Sequence, residues 1–273
     1  MPRTPDEIAT TKRFADRYRV AGSDLIKKIE RASCGCDYGA TSWTTRDEAD
    51  EAVRLLGLGP GRRLLDIGSG SGWPGLYLAR ETGCDLALAD LPLEGLRLAV
   101  NRAEEDRLAG RCWFVVADGA ALPFSDGWFD SVSHSDVLCC LDAKLDVLKE
   151  CRRAIRPGGA MVFTVISIVS DLSAAEHATA VAAGPPCVAA DTAYEGMLGL
   201  SGWDIVEHRN ITDVYRRTLR RVYEQESAHR DALRDLIGAA ALTDKLARRQ
   251  RALNAVEKGF LQREMFVTRA ADA

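Results

Sequence analysis

The sequence lacks any apolar run that approaches the roughly 18 residues of a membrane-spanning helix. It also lacks an excess of positive charge, because 36 Lys and Arg stand against 40 Asp and Glu, a net charge of −4. Such a chain has no global attraction for nucleic acid or for an acidic membrane. The first residues, MPRTPDEIATTKRF, are polar and do not resemble the apolar core of a signal peptide. These absences predict a soluble cytoplasmic protein.

Patterns that indicate a metal site are also missing. The chain has only four histidines, and its eight cysteines are scattered through apolar segments. Cys34-Gly35-Cys36 is the one close pair in a polar loop, and no second pair follows at zinc spacing. The sequence therefore predicts buried thiols in preference to disulfides, and no metal. It contains no internal repeat and no low-complexity tract.

What the chain does contain is one organising stretch, RRLLDIGSGSGWPGLYLAR at residues 62–80. A short apolar run at 64–67 predicts a buried strand, and Pro74 is suited to the first turn of a helix. This order lets backbone approach a nucleotide-like ligand closely, since a Cβ atom in the turn would hold the ligand away. The intervening loop contains four glycines: Gly68, Gly70, Gly72 and Gly75.

Two classes of ligand fit this loop. Gly70-x-Gly72-x-x-Gly75 matches the dinucleotide fingerprint, so an NAD(P)-dependent oxidoreductase is one hypothesis. Asp66 argues against it, because a carboxylate just before the first glycine would face a pyrophosphate and suits an aminosulfonium ligand better. Asp90 follows 24 residues later, and an acid there can accept both hydroxyls of a ribose in either ligand.

The order of the predicted elements indicates a doubly wound α/β fold. Five strands alternate with helices at spacings short enough for right-handed crossovers, which predicts a parallel sheet. Two later strands predict an antiparallel hairpin that completes a seven-stranded, mostly parallel sheet. We expect the strands within 64–67, 86–90, 112–117, 126–138, 161–167, 204–212 and 263–269.

Four motifs in this order resemble those of class I S-adenosylmethionine (SAM)-dependent methyltransferases: DIGSGSG (66–72), LALAD (86–90), ADGAALPF (117–124) and IRPGG (155–159). The resemblance implies SAM as cofactor, S-adenosylhomocysteine (SAH) as product, and in-line SN2 displacement of the methyl group. It implies an N-terminal helical lid and loop (1–45), a SAM-binding core (46–167), and a C-terminal part (168–273). That last part carries helical cap insertions at 168–190 and 214–258.

The resemblance also implies roles for individual residues. Asp66 is expected near the methionine amino group, Gly68 and Gly70 at the closest backbone approach, Asp90 on the ribose and Asp118 on the adenine. The remaining expected cofactor-binding residues are Ser69, Gly72, Leu91, Gly119 and Ser135.

A narrower resemblance concerns YGATSWTT (38–45), which is similar to the N-terminal loop of methyltransferases acting on small molecules. These include the phosphoethanolamine, sarcosine/dimethylglycine and quinone enzymes. It implies that Tyr38 lies near the methyl group and that Trp43 forms a wall. The phosphoethanolamine enzymes place a His where this chain has Cys140, so that substrate is not favoured. The catalytic candidates are Tyr38, His134 and Cys140, and the substrate-binding candidates are Trp43 and Tyr194.

Two further alternatives remain beside a small-molecule acceptor methylated at N, O or C. One is a nucleic-acid methyltransferase, although SHSDVL (133–138) lacks the Asn/Asp-Pro-Pro-Tyr/Phe motif of the amino-methylating enzymes. The other is a SAM-binding regulator without catalysis. The sequence indicates no oligomeric state.

Overall fold

The seven strands form one sheet in a computed structural model that describes residues 5–271, with side chains from residue 7 onward. The strand order is β3-β2-β1-β4-β5-β7-β6, and the first five strands run parallel while β7 is antiparallel to both of its neighbours. This topology confirms the predicted doubly wound, mostly parallel sheet. The strands are β1 (Arg63–Ile67), β2 (Asp85–Asp90), β3 (Cys112–Val116), β4 (Phe129–Ser135), β5 (Ile155–Ile168), β6 (Trp203–Asn210) and β7 (Leu261–Ala270).

Helices cover both faces of the sheet, and further helices extend beyond it. Two large groups of buried apolar residues fill the space between sheet and helices. The helices are α1 (Pro5–Ala21), α2 (Asp24–Cys34), α3 (Arg46–Leu55), α4 (Gly75–Thr82), α5 (Leu93–Asp106), α6 (Lys144–Ala154), α7 (Ala174–Ala183), α8 (Tyr194–Leu200), α9 (Thr212–Ala228), α10 (Arg230–Ile237) and α11 (Ala239–Glu257).

The N-terminal helices and the insertion between β6 and β7 form a cap together. Ile29 of α2 packs with Leu233 of α10 and with Leu242 and Leu246 of α11 in a small apolar core separate from the sheet. The insertion, predicted to be helical over 214–258, consists of the three helices α9, α10 and α11. The chain turns at His229 and again at Gly238. Gly238 has a φ of +85°, which glycine adopts with little conformational strain.

Within residues 5–271, no helix combines the length and the apolar character that crossing a membrane requires.

Candidate active site

A cavity of about 270 Å³ opens at the carboxyl ends of the parallel strands. Gly68 follows β1, Asp90 ends β2 and Ser135 ends β4, and all three line it. The strand order reverses between β1 and β4, and open α/β sheets bind ligands at such a switch point. The cap closes the other side, since α1, α11 and the loop before α3 contribute lining residues.

The glycine loop packs too tightly to admit side chains. Gly68 has φ of +62°, and a Cβ atom there would lie 2.4 Å from Cγ2 of Val137. Gly70 has φ of +54°, and its Cβ atom would lie 2.1 Å from the hydroxyl of Tyr18. Gly68 and Ser69 line the cavity, so a ligand there would meet bare backbone.

A Gly68→Ala variant tests this close packing. We expect it to cost about 1–3 kcal/mol of unfolding free energy more than Gly57→Ala, because only the former crowds a neighbouring side chain. Gly57 has φ of +60° and nothing within 4 Å of its Cβ position, so it isolates the backbone strain. Urea unfolding measures both. Equal losses would show that the contact with Val137 has no energetic weight.

Asp90 joins the two loops that border the cavity. Its Oδ2 accepts a hydrogen bond from the Gly70 N–H at 2.6 Å, and its Oδ1 accepts one from the Leu91 N–H at 2.7 Å. Burial raises the pKa of Asp90 to about 6. Each carboxylate oxygen has a second lone pair, so the group can still accept from a ligand.

Six of the ten predicted cofactor-binding residues line the cavity. Asp118 is fixed by a turn in which its Oδ1 accepts from the Ala120 N–H at 2.9 Å. The hydroxyl of Ser69 is buried without a hydrogen-bond partner, as is that of its neighbour Ser71, which the sequence did not single out. The six are Gly68, Ser69, Asp90, Leu91, Asp118 and Ser135.

Asp66 lies behind the loop and outside the cavity lining, so its expected contact with a methionine amino group stays a prediction. Its side chain is 1% exposed, and its Oδ1 accepts from the Ser133 hydroxyl at 2.7 Å. The helix α4 begins directly against it, because a Cβ atom at Gly75 would lie 2.5 Å from Oδ2. Burial raises the pKa of Asp66 to about 7. We infer that Asp66 supports the loop from below.

This raised pKa predicts how stability changes with pH. The folded protein retains a proton on Asp66 that the unfolded chain releases near pH 4, so the free energy of unfolding falls as pH rises from about 4 to about 7. One group contributes at most about 1.4 kcal/mol per pH unit. We expect Asp66→Asn to show a shallower fall in urea unfolding between pH 5 and pH 8.

Asp231→Asn is the control for this pH series, because it removes one exposed carboxylate from α10 of the cap. We expect its profile to follow the wild type. An Asp66→Asn profile as steep as the wild type would show that the buried carboxyl does not hold the extra proton.

Gly70, Gly72 and Gly119 are absent from the cavity lining, so their expected direct contact with a cofactor stays a prediction. Gly70 lies under Tyr18, Gly72 packs against α4 and α5, and Gly119 packs against β1 and α6. Their lack of a side chain serves packing of the loop and its surroundings.

Tyr38 lies outside the cavity lining, so its predicted place near a methyl group is not supported. Its hydroxyl donates to Oδ2 of Asp106 at 3.1 Å, and the Arg102 guanidinium lies 4.0 Å from its ring centroid. The side chain is 6% exposed, and burial raises its pKa. Tyr38 fastens the N-terminal loop to α5.

His134 and Tyr194 are also buried away from the cavity, and neither is supported as a catalytic or substrate-binding residue. The His134 ring stacks on Phe163 at 4.6 Å, and neither ring nitrogen has a hydrogen-bond partner. Burial lowers the pKa of His134 to about 3, so it carries no charge at neutral pH. Tyr194 packs against Phe163 and Phe266 on the same side of the sheet.

Cys140 and Trp43, the remaining catalytic and substrate-binding candidates, line the cavity. Cys140 ends a short 3₁₀ turn after β4, and a hydrogen bond from Cys139 with the nearby charges of Arg13 and Arg17 lowers its pKa. Trp43 packs edge-on against Tyr215 at 5.3 Å, and these two rings form one wall.

The sequence reasoning missed Tyr18 as a lining residue. This α1 side chain covers Gly70, and its hydroxyl shares a hydrogen bond with Thr41 at 3.2 Å. The sequence feature that could have indicated Tyr18 is its position on the apolar face of α1, in the segment expected to act as a lid.

Asp136 and Arg263 were missed as well. Asp136 lines the cavity with φ of +57°, and its Oδ2 is buried without a partner. Its Oδ1 accepts from Nε of Arg263 at 2.9 Å. Arg263 is fully buried and also donates to Glu48 at 2.7 Å. The sequence feature that could have indicated Arg263 is the presence of an arginine in the last predicted strand, 263–269.

Glu30 fixes the loop that brings residues 40–43 to the cavity. Its carboxylate oxygens accept from the Gly39 N–H at 2.7 Å and from the Ala40 N–H at 2.9 Å. The Cys36 thiol donates to the same carboxylate at 3.1 Å. A buried acid with these donors holds the loop in one conformation.

Comparison with known proteins agrees with this geometry. The methyltransferase domain family matches residues 65–163. Methyltransferase GfsG of Streptomyces halstedii is 29% identical over 175 residues, which cover 62% of this chain and 61% of that protein. The ubiquinone/menaquinone biosynthesis C-methyltransferase UbiE of Ectopseudomonas mendocina is 34% identical over 112 residues, 40% of this chain and 44% of UbiE. The chain thus spans less than two thirds of the length of both relatives.

A third relative matches over more of its length. The 27-O-demethylrifamycin SV methyltransferase of Amycolatopsis mediterranei is 25% identical over 237 residues, 84% of this chain and 87% of that enzyme. Among solved structures, a putative sarcosine dimethylglycine methyltransferase of Galdieria sulphuraria has a TM-score of 0.75 at 15% identity, over 83% and 84% of the two chains. The [4+2]-cyclase SpnF has a TM-score of 0.71 at 20% identity, over 93% and 94%.

Proposed function

We propose that this chain, which has the class I SAM-dependent methyltransferase fold, transfers a methyl group from SAM to a small organic acceptor. The observation that carries the proposal is the convergence of Gly68, Asp90 and Asp118 on one cavity at the switch point of the sheet. A bare backbone turn and two carboxylates suit an adenosyl ligand.

The lining residues fit SAM in chemical character. Asp90 would accept the ribose hydroxyls and Asp118 the adenine amino group, since both are held by backbone donors with lone pairs to spare. The hydroxyls of Ser69 and Ser71 are buried without partners, and a polar ligand would satisfy them.

Bound SAM would supply an already activated methyl group, so the protein's task is chiefly to align the acceptor and to exclude water. Trp43 and Tyr215 offer an aromatic wall for that acceptor. Asp136 presents a carboxylate oxygen without a partner, and Arg263 fixes its orientation. We propose Asp136 as the group that holds an acceptor hydroxyl or amine and takes its proton where one must leave.

The enclosure of the cavity supports a small acceptor over a nucleic acid. The N-terminal segment and helix α11 cover the ends of the strands, so a base would have to be extruded into a space of about 270 Å³. We therefore propose that residues 1–45 and the insertions at 168–190 and 214–258 act together as a lid over the SAM-binding core 46–167. Two of the three named relatives, UbiE and the 27-O-demethylrifamycin SV methyltransferase, are small-molecule methyltransferases by their names. The third, GfsG, is a methyltransferase without a named substrate.

Two measurements, made one after the other, test the proposed function. Isothermal titration with SAH and with NADP⁺ decides the ligand, and we expect SAH to bind and NADP⁺ not to bind. Mass spectrometry then follows methyl transfer from SAM to a panel of amines, phenols, quinones and hydroxylated macrocycles. The SpnF neighbour is named a [4+2]-cyclase, so the fold does not fix the reaction and a product is required. SAH binding without any methylated product would favour a regulator.

A further inference from the structure

Arginines gather on the cap side of the cavity. Arg13 and Arg17 reach it from successive turns of α1, while Arg248, Arg249 and Arg251 reach it from α11. The chain as a whole has a net charge of −4, so this concentration is local. One acidic residue of α1, Glu7, also lines this part of the cavity.

Two of the three α11 arginines pair with carboxylates, whereas each α1 arginine lies over the Phe14 ring. Arg249 lies 3.3 Å from Glu226, which also pairs with Lys245, and Arg248 pairs with Asp244. No carboxylate of the described residues lies within 4.0 Å of the guanidinium of Arg13 or Arg17. The Nε of Arg13 is moreover buried without a hydrogen-bond partner.

These cations are close enough to affect one another. Burial, together with the charges of Arg249, Arg13 and Arg248, lowers the pKa of Arg17 to about 10. It remains protonated at neutral pH, so the protein holds like charges together in a partly enclosed space. Such a group becomes favourable when an anion lies between its members.

The α1 arginines and the turn after β4 line the same cavity. The charges of Arg13 and Arg17 lower the pKa of Cys140, in the turn after β4, whereas Asp90 ends β2 and Asp118 follows β3. The unpartnered oxygen of Asp136 lies in the same segment as Cys140. The cluster therefore faces the part of the cavity left for the acceptor.

Resting on the proposed function, we propose that the acceptor carries an oxyanion group, a phosphate or a carboxylate, which binds to Arg13 and Arg17 with Arg249 opposite. Arginine is suited to this because its planar fork of donors matches both groups. Trp43, which the Arg249 guanidinium covers at 4.7 Å, would then contact the adjoining organic part of the acceptor.

The test uses the full chain saturated with SAH and titrates three probes: inorganic pyrophosphate, inorganic phosphate and benzoate. An Arg13→Gln/Arg17→Gln variant removes two charges spaced four residues apart on α1. The matched control is Arg217→Gln/Arg221→Gln, which removes two exposed charges at the same spacing on α9. We expect the α1 variant to weaken probe binding at least about tenfold and the α9 control to change it less than about twofold.

SAH affinity, measured by calorimetry for all three proteins, tests the proposed function separately from the acceptor inference. Failure of the wild type to bind SAH would overturn the proposed function itself. With SAH bound, the preferred probe identifies phosphate or carboxylate as the oxyanion. The acceptor inference is overturned if no probe binds or if both double variants lose equal affinity. It is also overturned if the α1 variant loses SAH affinity as strongly, since the arginines would then hold the cofactor's own carboxylate.

Discussion

The Asp90→Asn variant is expected to bind SAH about 1–3 kcal/mol more weakly than the wild type, a loss of roughly 5-fold to 160-fold. Both oxygens of the carboxylate accept backbone N–H groups, and the residue borders the cavity. An amide has one acceptor oxygen, so it must turn its NH₂ group toward Gly70 or toward Leu91. The variant loses the negative charge that would face a ribose, and it also loses one of the hydrogen bonds that hold the two loops. Isothermal titration with SAH measures the combined loss of affinity.

Asp85→Asn is the matched control for this variant. Asp85 begins the strand that Asp90 ends, and it pairs with Arg111 at 2.8 Å at the far edge of the sheet. Its SAH affinity should remain within about a factor of two of the wild type. An unchanged affinity for Asp90→Asn would remove the ribose assignment.

The pH dependence of SAH binding provides a second readout for Asp90. Its pKa is raised to about 6 by burial, so the carboxylate gains a proton as pH falls below 6. If the ionised form accepts the ribose hydroxyls, SAH affinity of the wild type falls from pH 7 to pH 5. The Asp90→Asn variant should lose that dependence, since it has no proton to gain.

The sheet and the convergence of three expected cofactor-binding residues could be predicted from the sequence because their signals are local. Gly68, Asp90 and Asp118 each lie within a residue or two of a strand end, and parallel strands bring such ends to one edge. The strand, the turn and the helix of the first βα unit are likewise encoded within about twenty consecutive residues.

The residues proposed to surround the acceptor could not be predicted from the sequence in the same way. Side chains alternate across a strand, so His134 and Ser135 point to opposite sides, and the sequence did not reveal which one faces the cavity. The structure places Ser135 there. Tyr38 lies in the expected loop, yet its orientation depends on Asp106, 68 residues away. Tyr18 reaches the cavity through the docking of α1 on α5, which the pattern of neither helix determines.

The ion cluster around Arg263 depends on still longer separations. Arg263 contacts Glu48, Asp136 and Thr164, which lie 215, 127 and 99 residues earlier in the chain. The sequence shows only an arginine in a strand otherwise suited to burial. Four segments must assemble before its partners are in place, so its function as the support of Asp136 is a property of the fold.

Arg263→Met is expected to be the most destabilising of the substitutions considered, by about 3–5 kcal/mol in urea unfolding. Arg263 is 0% exposed, and its guanidinium pairs with Glu48 at 2.7 Å and with Asp136 at 2.9 Å. Methionine fills much of the same space, yet it leaves two buried carboxylates without a cation. Because Asp136 loses its support, we also expect methyl transfer to fall further than SAH affinity does.

A control and a partial rescue make this expectation specific. Arg269→Met lies six residues later on the same strand, is exposed, and removes a hydrogen bond to the Gly158 carbonyl. It should change stability by less than about 0.5 kcal/mol. Adding Glu48→Gln to Arg263→Met should restore part of the loss, since one of the two stranded charges is then removed. An Arg263→Met variant as stable as Arg269→Met would show that the buried cluster does not support the cavity wall.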